Sequence, residues 1–301
     1  MLPLFTIIHP LVDACSVSVL VAGGMSWERI IAYNAMAFAL QLPMGVVMDE
    51  WPGLNRGCFF AGTVLVFAAA IAAALGAGGW DVLVAACVGN ALFHLTAGKH
   101  ILETREGRAG PIGLFISTGA LGLMAGQVWA ARAATMCLAV FASALAVCVV
   151  LAAAREWEGD VRMKASAQND EAAIFPTLIL LGLFALVAWR SWAGLFAGGR
   201  SAGVCALMML AGAAVTFAGK VAGGYLAERV GRWKVTLFSV AGSAALAFFC
   251  EPSWVAAWLV LLFVAQLATG PVLSLVYDKA GRRGGAAFGL NCLGLFTGSL
   301  A

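Results

Sequence analysis

Residues 223–235 read GGYLAERVGRWKV. Gly223 and Gly224 close one apolar run, four charges (Glu228, Arg229, Arg232, Lys234) crowd around Gly231, and a second apolar run begins at Val235. Charges confined between two runs of membrane-crossing length mark a short turn at a lipid–water boundary, and the small residues let neighbouring helices approach closely there.

Moving outward from that turn, apolar runs fall at 4–24, 30–48, 58–77, 82–102, 110–130, 133–153, 174–192, 203–226, 235–250, 254–276 and 284–301. Each is near the length of roughly 20 residues that a helix needs to cross a bilayer, so the chain holds about eleven transmembrane helices. The composition agrees: 62% of the 301 residues are apolar and 11% charged, with mean hydropathy +0.95. A soluble domain is about half apolar and a quarter charged. A soluble enzyme, a nucleic-acid binder and a disordered chain are therefore excluded. A strand barrel needs alternating segments of about ten residues, which are absent. The fold class is an all-α polytopic membrane protein.

Sidedness follows from the positive charges. The even-numbered loops hold 12 of the 18 Lys and Arg residues; the odd loops hold 3, namely Arg29, Arg132 and Arg200. Lys99, Arg190 and Lys220 lie within runs. The even loops and the N-terminus are expected in the cytoplasm. The longest loop, 154–173, is polar and highly charged, and divides a six-helix bundle at 1–153 from a bundle of about five helices at 174–301. A shift of 175 residues carries Glu103 to Asp278, Arg108 to Arg283 and Gly110 to Gly285. Like residues at the same turn of each half point to an internal repeat of the kind transporters use. The net charge of +3 implies no anionic partner. The eight cysteines lack C-x-x-C spacing and read as small buried hydrophobes. No cleavable signal is expected, because the first run carries His9 and Asp13.

The spacing Gly224, Glu228, Arg229, Gly231, Arg232 resembles the signature loop of the major facilitator superfamily. Its counterpart GVVMDEWPGLNRG keeps Gly45, Asp49 and Arg56 but loses the D-R-x-G-R core, which puts a first-half latch in doubt. Further stretches resemble the fosmidomycin-resistance-like branch. These are His9 and Asp13 in IHPLVDACS, Gly89, Phe93 and His94 in VGNALFHLTAGKHIL, the Gly-rich GRAGPIGLFISTGALG, and VYDKAGRRGGAAFGL. The Pro that follows the family's Phe-His pair is missing. The resemblance covers nearly the whole chain. It implies a major-facilitator-type two-bundle fold of twelve spans, of which this chain lacks the twelfth.

A charge at mid-span costs roughly 2.5–3.5 kcal/mol on the insertion scale. Arg190, near the outer end of its run, is expected to snorkel. Lys99 can snorkel or pair with Glu103 one turn on. Lys220 reads equally as a substrate-anion contact or as part of the latch around Glu228. Asp13 is the only acid deep inside a run, with His9 one turn before it, so it faces a cavity or carries a proton. Asp13, His9 and His94 are the candidate proton-coupling residues. Asn34, Gln41, Asn90, Lys220 and Gln266 are candidate cavity residues, although such polar groups serve equally well as interhelical hydrogen-bond glue. Glu228, Arg229 and Arg232 are expected to form a cytoplasmic charge cluster.

The functional expectation is a secondary active transporter of the bacterial inner membrane, a monomer that exports a drug or metabolite as an antiporter. It needs no cofactor or metal, draws on the proton gradient, and meets a small molecule and the lipid bilayer but no nucleic acid. An enzyme is not expected: there is no phosphate-binding G-x-x-x-x-G-K-[ST] loop, and three histidines are not spaced as H-E-x-x-H. The alternatives are a transport-inactive scaffold, which the eroded first-half loop favours, and an uptake carrier of the same fold.

Overall fold

Apolar runs in lipid must satisfy their own backbone hydrogen bonds, and helices do so within each segment. The computed structural model describes residues 1–155, 157, 174–199, 206–249 and 255–300, and these are helical apart from short turns. The helices are α1 (Leu2–Ala22), α2 (Trp27–Asn34), α3 (Gln41–Glu50), α4 (Leu54–Ala74), α5 (Trp80–Thr104), α6 (Ala109–Ala153) and α7 (Ile174–Gly199). They continue as α8 (Ala206–Val230), α9 (Arg232–Phe249), α10 (Val255–Gln266), α11 (Thr269–Lys279) and α12 (Gly284–Ser299). Eight spans among the described residues are long and apolar enough to cross a membrane.

Two runs, the second and the tenth, differ in detail from their sequence reading. The second run is α2 and α3 joined by a π turn over Ala35–Ala39. The fifth and sixth runs are two spans, Ala109–Ala131 and Ala133–Ala153, which are the two parts of α6 on either side of Ala133, where the backbone (φ −154°, ψ 64°) leaves the helical region. The tenth run is interrupted between Gln266 and Thr269, separating α10 from α11. Gly231 adopts φ +104°, a left-handed turn that closes α8 and lets α9 start at the next residue.

α1 lies at the centre of the first half, with Phe5, Ile8, Val12 and Cys15 fully enclosed. It packs along the first part of α6 through glycines: Gly122 lies against the Pro10 carbonyl, and a Cβ on Gly126 would sit 2.8 Å from the Ala14 carbonyl. The same device joins the halves. Gly45 of α3 meets Gly285 of α12 backbone to backbone, and a Cβ on Gly224 of α8 would lie 2.5 Å from the Ala109 carbonyl of α6. Both contacts lie at the end that carries the even-numbered loops. The expected 154–173 linker lies outside the described residues apart from 154, 155 and 157.

Candidate functional site

His9 and Asp13 project from one face of α1 and meet His94 and Asn90 of α5. The contact needs a gap in α6, which Gly119 provides: a Cβ there would fall 2.5 Å from Asp13 Oδ2 and 2.6 Å from His9 Nε2. All three ionisable side chains are buried, at 3%, 5% and 8% exposure for His9, Asp13 and His94. Asp13 is thus not alone in lipid. Its carboxylate lies 3.2 Å from His9 Nε2 and 3.3 Å from His94 Nε2, and accepts from Asn90 Nδ2 at 3.0 Å.

The tautomers follow from the partners. His9 Nδ1 is 2.7 Å from the Phe115 carbonyl and His94 Nδ1 is 2.8 Å from the Asn90 carbonyl. A carbonyl only accepts, so each Nδ1 carries its hydrogen and each neutral Nε2 is a bare lone pair. Those two Nε2 atoms face each other at 2.7 Å, beside a carboxylate. Three acceptors at this spacing repel unless a proton lies among them. The donor atoms all lie within 4.8 Å of one another, close enough for a small cation to bridge as well.

At the even-loop end, two acids join the halves. Asp49, at the end of α3, accepts from the backbone N–H groups of Gly285 and Ala286 in the first turn of α12, each at 2.8 Å. Lys99 stands 3.2 Å from the same carboxylate and also pairs with Glu103. In the second half, Glu228 accepts from the Gly110 N–H at 2.9 Å in the first turn of α6, and from Arg108 Nη2 at 2.7 Å. That hydrogen bond and the Glu228 charge raise the Arg108 pKa further above its ordinary value. A carboxylate on a helix N-terminus satisfies orphan N–H groups and complements the helix dipole.

This arrangement revises two expectations. The first-half latch, doubted for want of a D-R-x-G-R core, is formed through Asp49 without it, because backbone N–H groups and Lys99 supply the donors. Glu228, Arg229 and Arg232 do not cluster. Arg232 turns to Asp278 at 2.6 Å and Ser274 Oγ at 2.8 Å, Arg229 is exposed, and Glu228 reaches across to α6. Arg56 is exposed over the Phe60 ring and takes no part.

The candidate cavity residues separate. Asn90 belongs to the Asp13 cluster and also reaches Ser16 Oγ at 3.3 Å. Gln41 is fully buried and donates to the Ala37 carbonyl at 2.6 Å, while Asn34 is half-buried. The π turn between them adds a residue, so the seven-residue spacing no longer keeps them on one face. Gln266 accepts from Arg190 at 3.4 Å and from Thr269 at 3.1 Å. Lys220 donates to the Ile116 carbonyl of α6 at 3.2 Å, and so is no part of the Glu228 latch. Arg190 does not snorkel: it is 8% exposed and bonded to Thr269, because α7 continues to Gly199 and leaves it well inside the helix. Sequence reasoning missed Gly119 as the residue that makes room for the cluster, and Arg108 as the partner of Glu228. The repeat that matches Arg108 with Arg283 held the second signal, since Arg283 likewise pairs with Glu50 beside Asp49.

No protein-family model matches the chain, and no curated protein matches it. Solved structures do. The Escherichia coli fucose:proton symporter FucP, as a single-residue variant, aligns over 99% of this chain and 88% of its own with TM-score 0.66 at 12% identity. FucP in an outward conformation aligns over 98% and 89% with TM-score 0.68 at 12% identity. A bacterial homologue of the iron transporter ferroportin in an outward-facing state aligns over 99% and 90% with TM-score 0.58 at 14% identity. These neighbours are transporters, not enzymes. The chain has the major facilitator fold and is an integral membrane protein.

Proposed function

We propose that the protein is a secondary active transporter that moves a small molecule by alternating access, coupled to protons through Asp13, His9 and His94. The observation that carries this reading is the pair of facing Nε2 atoms beside a buried carboxylate: a site in the interior of two helices whose geometry calls for a proton. It can exchange that proton with water only if the two halves open toward each side in turn. The latches supply the second requirement, a closed end held by bonds that can be broken and remade. With the even loops in the cytoplasm, as the Lys and Arg distribution has them, the closed end is cytoplasmic, the N-terminus is inside, and this state faces outward.

Two formed latches favour a working carrier over an inactive scaffold. Export is the direction that the resemblance to the fosmidomycin-resistance-like branch implies, in exchange for protons across a bacterial inner membrane, with the protein acting as a monomer. The test is reconstitution into liposomes carrying an internal pH dye. Candidate solutes are added under an imposed gradient, with Asp13→Asn as the comparison. Solute-dependent proton movement in the wild type that is lost in Asp13→Asn supports the reading, and its sign separates antiport from symport. Equal proton movement in both proteins refutes the coupling assignment.

A further inference from the structure

Two cations in the spans of the second half, one buried and one half-buried, meet no carboxylate among the described residues. Arg190 of α7 is 8% exposed, yet its partners are neutral: Thr269 and Gln266. Lys220 of α8 is half-buried and rests on a backbone carbonyl, that of Ile116. Among the described residues neither forms an ion pair. A buried cation without a counter-charge is expensive in a bilayer and marks a functional site by default. Lys99, buried as well, shows what a structural pairing looks like here, with Asp49 and Glu103 both against it.

The two cations belong to one place. Gln266, which accepts from Arg190, packs against Gly219, the residue before Lys220, where a Cβ would lie 3.0 Å from Gln266 Cβ. Lys220 is also seated beside the His–Asp–His cluster through α6: His9 is bonded to the Phe115 carbonyl and Lys220 to the Ile116 carbonyl, the next residue. Asp13, the acid of that cluster, is already engaged by His9, His94 and Asn90. With the proton that its geometry calls for, that cluster is neutral as a whole and leaves the positive charges of Arg190 and Lys220 in surplus.

We infer that Arg190 and Lys220 form an oxyanion seat between the halves, and that the transported molecule carries a carboxylate or phosphate group. Arg190 engages its present partners through one nitrogen, Nη1. A guanidinium has five N–H donors in a planar fork, and among the described residues no hydrogen bond engages the rest of the fork, which suits a two-oxygen ligand. Lys220 contributes a mobile point charge from the facing helix, released from the Ile116 carbonyl when the anion arrives. The seat spans α7 and α8 on one side and abuts the α1–α5 cluster on the other. An anion there neutralises the surplus charge and touches both halves, which is what a substrate must do to bias their closure.

This inference rests on the transporter reading, but it is tested by binding, without transport. Purified wild-type protein in detergent is heated with inorganic phosphate, acetate or benzoate at constant ionic strength set by chloride, and with neutral benzamide as the control. At least one of the three oxyanions is expected to raise the melting temperature in a saturable way while benzamide does not. Arg190→Gln and Lys220→Gln should each weaken that apparent affinity about tenfold or more, the size of one charge-assisted hydrogen bond. Arg190→Lys, which keeps the charge, should retain part of it should Arg190→Gln fail to fold. Anion binding is read here without any proton movement, so failure of the coupling assignment leaves this result standing. Stabilisation by none of the oxyanions, equal stabilisation by benzamide, or undiminished binding in Lys220→Gln overturns the seat.

Discussion

Asp49 and Glu228 do the same work from opposite halves. Each carboxylate lies near the end of a helix four residues after a glycine, Gly45 or Gly224, that touches the other half, and accepts from the backbone in the first turn of a helix there, Asp49 from two N–H groups and Glu228 from one. Asp49 binds the start of α12 and Glu228 the start of α6. An Arg just before each of those helices, Arg283 or Arg108, faces the acid end. Both latches hold the even-loop end shut.

The latches are unequal in burial, with side-chain exposure of 4% for Asp49 and 21% for Glu228. Asp49→Asn should therefore open the even-loop end more than Glu228→Gln. Losing charge-assisted bonds to buried partners costs about 1.5–3 kcal/mol, enough to shift a two-state population roughly tenfold or more. Spin labels placed on either side of that end should report longer distances in Asp49→Asn, at unchanged protein abundance. A larger shift in Glu228→Gln contradicts the ranking.

Arg108→Gln should matter less than Glu228→Gln. The Arg108 side chain is 62% exposed, where water and salt screen the pair, and the Gly110 N–H bond to Glu228 survives the change. Transport rates of the two variants, measured at low and high salt, should differ most at low salt for Arg108→Gln and stay uniformly depressed for Glu228→Gln.

Asp13→Asn should abolish proton-coupled flux while leaving membrane insertion intact, because the amide keeps the shape and the Asn90 contact but cannot carry the charge. His94→Gln should do the same by removing one of the two facing Nε2 atoms. Flux measured with a pH dye in liposomes decides this; full flux in Asp13→Asn alone would move the coupling role to the histidines.

Gly119→Ala should mimic loss of the site without touching any ionisable group. Its Cβ has nowhere to go between Asp13 and His9, and overpacking of this kind costs about 1–3 kcal/mol. Gly182→Ala is the matched control, since a Cβ there meets nothing within 4 Å. Comparable activity of the two variants would show that the gap at Gly119 is dispensable.

Cysteines introduced into 154–173 should react with impermeant reagents only from the cytoplasmic side. Labelling from outside would reverse the sidedness, and with it the reading of this state as outward-facing.

Hydropathy and charge are properties of position along the chain, and what depends on them was legible in the sequence. The runs of apolar residues define the crossings because lipid penalises each unpaired backbone group. The spacing of Gly224 and Glu228, and of Gly45 and Asp49, already placed an acid one turn beyond a close helix contact. Who answers each charge was not legible. His94 meets His9 across 85 residues and Arg108 meets Glu228 across 120, distances over which sequence spacing carries no geometry. Arg190 shows the difference most plainly. By its run it stands near a helix end and snorkels, but the longer α7 and the packing of Gln266 and Thr269 keep it inside. A side chain's cost in the membrane depends on what surrounds it in three dimensions, and only the packed helices decide that.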